Sequence, residues 1–252
     1  MNEIVSSILS GSAGKANLHT HSNFCDGANT PEEMCEKAIE KGFKTLGFSS
    51  HSEMLQDVGV YIEKIKNLKE LYRGRLQIHC GIEMELGLPW VEGDYEYVIG
   101  SIHCLKTPTG RTLAIDSDHG ILKEGIAKDY GGDVRAFIHD YYAMLREKLS
   151  VSYDIVGHPD LLRKFNKKFP YFSEEESWYQ GEVEATADAI AKSGKVVEIN
   201  TGAISRGWMD DVYPSTFFRS LLKARGVKFI LSSDAHFADA LDCGFERFAL
   251  GG

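Results

Sequence analysis

Ala16-Asn17-Leu18-His19-Thr20-His21, followed after a short loop by Thr30-Pro31-Glu32-Glu33, reads as a β-strand that leads into a helix with two imidazoles at the joint. On an extended backbone the period of two sends His19 and His21 to the same side. Thr30 has the chemistry of an N-cap, Pro31 suits the first helical position and Glu33 completes a capping box. The helix is expected to run to about Lys41 and to stop at Gly42. One strand–helix unit with metal-type side chains at the end of its strand sets the frame for the rest of the chain.

That unit recurs. Strands are predicted over 45–49, 76–83, 97–101, 153–157, 196–200 and 229–233, and most end on or just before His51, Glu83, His103, His158 or Asp234-Ala235-His236. Helices are predicted over 58–73, where Ile62, Ile65 and Leu68 keep a helical period, and over 135–149, 178–193 and 216–225. Strands alternating with helices imply βα units and a mostly parallel sheet. About seven strands joined by short connections favour closure into a barrel. The expected fold is therefore α/β, a TIM-like barrel forming a single domain over 16–252, preceded by an arm over 1–15. Two stretches, 106–133 and 161–177, read as long irregular loops; they leave the strand ends where the histidines gather, which suits a lid or a substrate wall.

The chain has 252 residues, 43% apolar and 26% charged, enough for one large domain with a substantial core. A net charge of −9 disfavours tight non-specific binding of nucleic acid, but not of a small anionic substrate. Cys25, Cys35, Cys80, Cys104 and Cys243 are odd in number and form no C-x-x-C pair, which suits a reducing cytoplasm. Neither a signal peptide nor a membrane-spanning run is expected.

His19, His21, His51, Glu83, His103, His158, Asp234 and His236 all fall at the C-terminal ends of apolar runs, the catalytic face of a βα barrel. Imidazoles and carboxylates gathered there are candidate metal ligands. His79, His119 and His139 lie within a strand, a loop and a helix, and read as structural or surface residues. Gly81 and Gly100 read as packing positions. Ser101, Ser232 and Ser233 lack the surroundings of a nucleophile elbow. Arg206, just past a strand tip, is the first candidate for holding phosphate; Arg163 is the second, weighed against a solvated basic face with Lys164, Lys167 and Lys168.

The ordered segments NLHTHSNFCDGANTPEEMCEKAIEKGFKTLGFSSHS (17–52), GIEMEL (81–86), VIGSIHCL (98–105), DIVGHPDLLRKF (154–165), VVEINTGAISRG (196–207) and FILSSDAH (229–236) resemble the polymerase and histidinol phosphatase (PHP) family, most closely its bacterial histidinol-phosphatase branch. The resemblance implies a distorted (β/α)7 barrel with two or three divalent metal ions. By that resemblance, His19, His21, Glu83 and Asp234 hold the first and Glu83, His103 and His158 the second, with Glu83 bridging. Asp26, His51 and His236 hold the third. Glu83, His103, Asp234 and Arg206 form the catalytic set, and Arg206 and Arg163 the substrate-binding set. The implied activity is that of a phosphomonoesterase converting L-histidinol phosphate and water to L-histidinol and phosphate, in histidine biosynthesis. A hydroxide bridging two metals is the implied nucleophile. Zinc, manganese or iron suits the mixed donors better than magnesium. By charge complementarity alone, the acidic residues of the 106–133 loop, Asp116 and Asp118 among them, are expected to meet the amino group of histidinol. The alternative within the family is a phosphoesterase acting on nucleotides, oligonucleotide ends or phosphotyrosine. Two departures stand out. Some relatives have histidine where this chain has Asp26. Position 17, often Asp in the wider family, is Asn, which cannot serve as a base at neutral pH.

Overall fold

Thr30 begins its helix as its neighbours dictate: its hydroxyl accepts the Glu33 N–H at 3.2 Å and the Glu33 carboxylate accepts the Thr30 N–H at 2.8 Å. In the computed structural model, which describes residues 1–248, this helix is one of a ring around a parallel barrel. Residues 249–252, the end of the 16–252 span, lie outside the described residues. In chain order the elements are α1 (Glu3–Leu9), β1 (Ala16–Asn17), α2 (Pro31–Glu40), β2 (Thr45–Phe48), α3 (Val58–Leu71), β3 (Gln77–Glu85) and β4 (Tyr97–Ser101). Then come β5 (Cys104–Lys106), β6 (Thr112–Ala114), α4 (His119–Asp129), α5 (Val134–Lys148), β7 (Ile155–Val156) and α6 (Ser177–Ser193). The chain continues through β8 (Val196–Asn200), α7 (Gly202–Ser205), α8 (Thr216–Ala224), β9 (Phe229–Ser232) and α9 (Phe245–Phe248).

Seven strands pair in parallel in the order β1-β2-β3-β4-β7-β8-β9. The ring nearly closes between its first and last members. There the pairing is a single bridge, Thr20 with Ala235, beyond the ends of β1 and β9, where the His21 N–H donates to the Ala235 carbonyl at 2.9 Å. A second bridge, His51 with Glu83, prolongs the β2–β3 pairing to the same rim.

The barrel interior is filled by Leu18, Tyr97, Ile99, Ile155, Val196 and Ile230. Tyr97 reaches across it, donating its hydroxyl proton to the Leu18 carbonyl at 2.5 Å. A Cβ at Gly81 would fall 2.2 Å from the Tyr97 ring, so this glycine is required by packing. Segment 1–15 is no free arm: Val5 of α1 is buried against the same interior cluster, and the Asn2 amide donates to the Glu96 carbonyl at 2.7 Å. α1 plugs the end of the barrel opposite the histidines. Helices α2 and α3 cover β1–β3, while α5, α6 and α8 pack over the other half.

Both stretches read as irregular loops are more ordered than expected. The 106–133 segment holds the second strand of the β5–β6 hairpin and α4. Of its glycines, which suggest a loop, Gly125 serves contact instead: a Cβ there would fall 2.2 Å from Leu113, whereas Gly110, Gly131 and Gly132 take positive φ. The 161–177 segment opens with a 3-10 turn over Leu161–Arg163, and Leu161, Leu162 and Phe165 join the core. Three apolar side chains in five positions anchor this segment as a fixed wall.

Candidate metal centre

Glu83, at the end of β3, is 1% exposed and stands among five imidazoles brought by four other strand ends. Its Oε2 lies 3.2 Å from His19 Nε2, 3.5 Å from His21 Nε2 and 3.0 Å from His51 Nδ1. Its Oε1 lies 3.0 Å from His158 Nε2 and 3.4 Å from His103 Nε2. Asp234 Oδ1 lies 3.1 Å from His21 Nε2 and 3.7 Å from His19 Nε2. Asp234 alone among the described non-glycine residues has a positive φ, 50°; Asp tolerates this region, and such backbone gathers at functional sites. Asp26 sits further out, its side chain 44% exposed, with Oδ1 3.3 Å from His236 Nε2 and 3.7 Å from His51 Nε2.

Behind the imidazoles stand two buried carboxylates that the sequence reading missed. Glu198 Oε2 lies 2.9 Å from His19 Nδ1, and its Oε1 accepts the His158 N–H at 2.9 Å. Glu85 Oε2 accepts the His103 N–H at 2.7 Å and lies 3.1 Å from His103 Nδ1. Carboxylates of this kind orient metal-binding histidines. The signal was available: Glu198 is the one acid of a fully buried strand, and Glu85 shares both the strand and the parity of Glu83.

The electrostatics describe a site short of positive charge. Burial pulls the His19 pKa down, but Glu198, Glu83 and Asp234 outweigh it and raise it well above its ordinary value. His103 is raised likewise, burial being overcome by Glu83 and Glu85. Burial, together with His236 and His51, pushes His21 well down, since its ring is stacked on theirs at 4.1 and 4.4 Å. Burial opposes ionisation of Glu83 and Asp234, yet facing histidines, and Arg206 for Asp234, hold both well below the usual carboxylate range. His19 Nε2, His21 Nε2, His51 Nδ1, Glu83 Oε2 and His158 Nδ1 are buried without a hydrogen-bond partner. Orphaned lone pairs from imidazole and carboxylate, gathered into groups whose donor atoms lie within 4.8 Å of one another, fit divalent cations. One such group is His21, Asp26, His51 and His236; another is His19, His21 and Asp234.

The cluster floors a cavity of about 340 Å³, whose walls include Glu53, Met54, Asp116, Ser117, Leu161, Lys164, Arg206 and Phe237. Arg206 follows α7 and donates from Nη2 to Asp234 Oδ2 at 2.9 Å. Arg163 is not brought to this cavity. It is buried on the far side of its turn, where Nε donates to Glu174 at 2.8 Å and Nη1 to the Val212 carbonyl at 3.3 Å, with Asp160 and Asp211 nearby. With three residues per turn, Lys164 falls on the same face as Leu161 and enters the cavity instead, its Nζ donating to the Asp116 carbonyl at 2.6 Å and to Oδ2 at 3.0 Å. Asp118 does not enter either; its carboxylate caps α4 by accepting the Gly120 and Ile121 N–H groups.

Asn17 is fully engaged at the β1–β9 seam. Its amide donates to Ser233 Oγ at 2.6 Å and to the Leu241 carbonyl at 3.1 Å, and its oxygen accepts the His19 N–H at 3.1 Å. A carboxylate could not make the donor contacts. His79, His119 and His139 lie away from the cluster: beside Glu96, stacked on Phe169 and beside Glu182. All five cysteines are free thiols. Among the described residues no helix is long and apolar enough to cross a membrane.

Residues 17–202 match the PHP domain model. The histidinol-phosphatase of Bacillus subtilis is 28% identical over 267 aligned positions, covering 93% of this chain and 98% of that protein. A Listeria monocytogenes structure described as a candidate histidinol phosphatase superposes with a TM-score of 0.80 at 22% identity, covering 93% of this chain and 100% of that one. The histidinol phosphate phosphatase of Lactococcus lactis, solved with zinc, L-histidinol and phosphate, gives 0.64 at 19% identity, covering 89% and 87%. At these identities the two structures establish a shared fold.

Proposed function

The chain belongs to the PHP domain family, and from that premise we propose that it is a metal-dependent phosphomonoesterase hydrolysing L-histidinol phosphate to L-histidinol and phosphate, a step of histidine biosynthesis. The observation that carries the reading is the Glu83 carboxylate: one oxygen faces His19, His21 and His51, the other His103 and His158, as a bridge between two cations requires. The B. subtilis relative, matched along nearly its whole length, supports the substrate. The zinc of the L. lactis enzyme supports the metal, with manganese or iron also suited to these donors.

His19, His21, Glu83 and Asp234 would hold one ion, Glu83, His103 and His158 a second, and Asp26, His51 and His236 a third. Divalent cations bound there would lower the pKa of water and would offset the charge of a phosphoryl group. The chain supplies the rest. Glu198 and Glu85 fix the rings of His19 and His103. Arg206, braced by Asp234 and by the Gly202 carbonyl, offers its guanidinium to a phosphoryl oxygen. Lys164, held by Asp116, adds a second positive charge from another wall. Residues 16–252 form the catalytic domain and 1–15 its plug; the free thiols suit a reducing cytoplasm.

The test is kcat/KM for L-histidinol phosphate beside AMP, phosphotyrosine and p-nitrophenyl phosphate, with metal content measured on the same sample. The proposal expects a preference for L-histidinol phosphate of several orders of magnitude. Equal slow rates on all four by metal-loaded protein would keep the phosphoesterase and remove the substrate.

A further inference from the structure

Four carboxylates line the cavity over the cluster: Asp26, Glu53, Asp116 and Asp234. Three are already matched. Asp234 carries Arg206 at 2.9 Å, Asp116 carries Lys164 at 3.0 Å, and Asp26 faces His236 at 3.3 Å. Glu53 has no Lys or Arg partner among the described residues. Its nearest basic atom is His51 Nδ1 at 3.7 Å, and that nitrogen sits closer to Glu83, at 3.0 Å. Glu53 is an exposed residue whose side chain is 21% exposed, and its Oε2 accepts the Ser52 hydroxyl at 3.3 Å, a neutral donor that leaves its charge unmatched. An anion facing a cavity without a counter-ion is a seat for a cation.

Its surroundings give that seat a shape. Met54 and Phe237 line the same cavity and are 44% and 38% exposed, although neither residue type favours water. The rim is also polarised. Arg206 and Lys164 come from the turns after β8 and β7, whereas Glu53 and Met54 follow β2 and Phe237 follows β9, next to β1 in the ring. Phosphate is drawn towards the β7–β8 side, and the rest of the molecule then extends over the β9–β1–β2 side.

We infer that Glu53, which lines the cavity with Met54 and Phe237, is a specificity-determining residue that binds the cationic end of the leaving alcohol, with the two apolar side chains packing on its carbon or ring portion. The inference rests on the phosphomonoesterase reading above and deepens it. It concerns recognition only; no bond is made or broken at Glu53.

The experiment measures kcat and KM of the metal-loaded enzyme and of E53Q, E53K and F237A on L-histidinol phosphate, phosphoethanolamine and p-nitrophenyl phosphate, with metal content by elemental analysis. The ratio of kcat/KM on a cationic to a neutral substrate is expected to fall roughly 10–100-fold in E53Q, mainly through KM, the range of a charge-assisted hydrogen bond. It should fall further in E53K, with bound metal equal to that of the unaltered enzyme. A merely structural role would lower all substrates together and leave the ratio in place, and that result overturns the inference. So does loss of metal with equal loss on every substrate, which would make Glu53 a ligand of the cluster. Failure of the unaltered enzyme on L-histidinol phosphate alone would sink the substrate reading. A phosphoethanolamine preference abolished in E53Q would still uphold the role of Glu53.

Discussion

Glu83 and Glu198 show how far single residues can be read. Parity along a strand and position at its end bring His19, His21, Glu83 and Asp234 to one rim, and both rules are visible in sequence. What parity does not tell is which partner stands behind each ring, because Glu198 and His19 lie on strands that become near neighbours only in the closed barrel. Glu198→Gln keeps the shape but weakens the acceptor behind His19. Metal affinity, by titration of the chelated protein, is expected to drop about 10–100-fold. An unchanged affinity would mean that His19 needs no such orientation. The Arg163–Lys164 exchange is the other lesson at this scale: on a turn of three residues, Lys164 shares the face of Leu161 while Arg163 sits a third of a turn away, so the cavity takes the lysine and the core takes the arginine.

Elements were legible where caps and periods are strong. The capping box of α2 and the glycine that ends α6 mark boundaries by local chemistry. The β5–β6 hairpin and α4 were not legible, because three-residue strands carry too little period and the glycines of α4 imitate a loop. Asp118→Ala removes the α4 cap and should cost about 1 kcal/mol in denaturant unfolding while leaving KM alone; a raised KM would bring Asp118 back into the substrate site. Glu96, between β3 and β4, offers a pH test away from the cluster. Burial raises its pKa, but His79, the Cys80 N–H and Lys69 lower it from 4.5 to about 2. Its contribution is therefore full above pH 4.5 and is lost as pH falls to about 2. E96Q is expected to be less stable than the parent by about 1 kcal/mol at pH 7, its exposure limiting the effect, with the gap closing towards pH 2. A gap that persists in acid would assign the loss to packing.

For the whole molecule, alternation and strand count announced a parallel barrel, whereas the plug formed by α1 depends on Val5 joining a cluster of Leu18 and residues from four strands and leaves no local trace. The orphaned donors of the cluster have a global consequence. Ions held at about a thousand times their dissociation constant stabilise by roughly 4 kcal/mol per site, so chelation should lower Tm by about 10 °C for each site emptied and re-addition restore it. An unchanged Tm would show that the cluster holds its shape unaided.

The seam between β1 and β9 sets a schedule. His19 and His21 emerge from the ribosome early, but the Asp234 and His236 that complete their groups come just after β9, where the chain is joined to the end of β1 by one bridge and by Asn17. Until synthesis has passed β9, the early histidines have no partners across the gap. A nascent or truncated chain lacking β9 is thus an inactive one, and the site is built by the same event that finishes the wall.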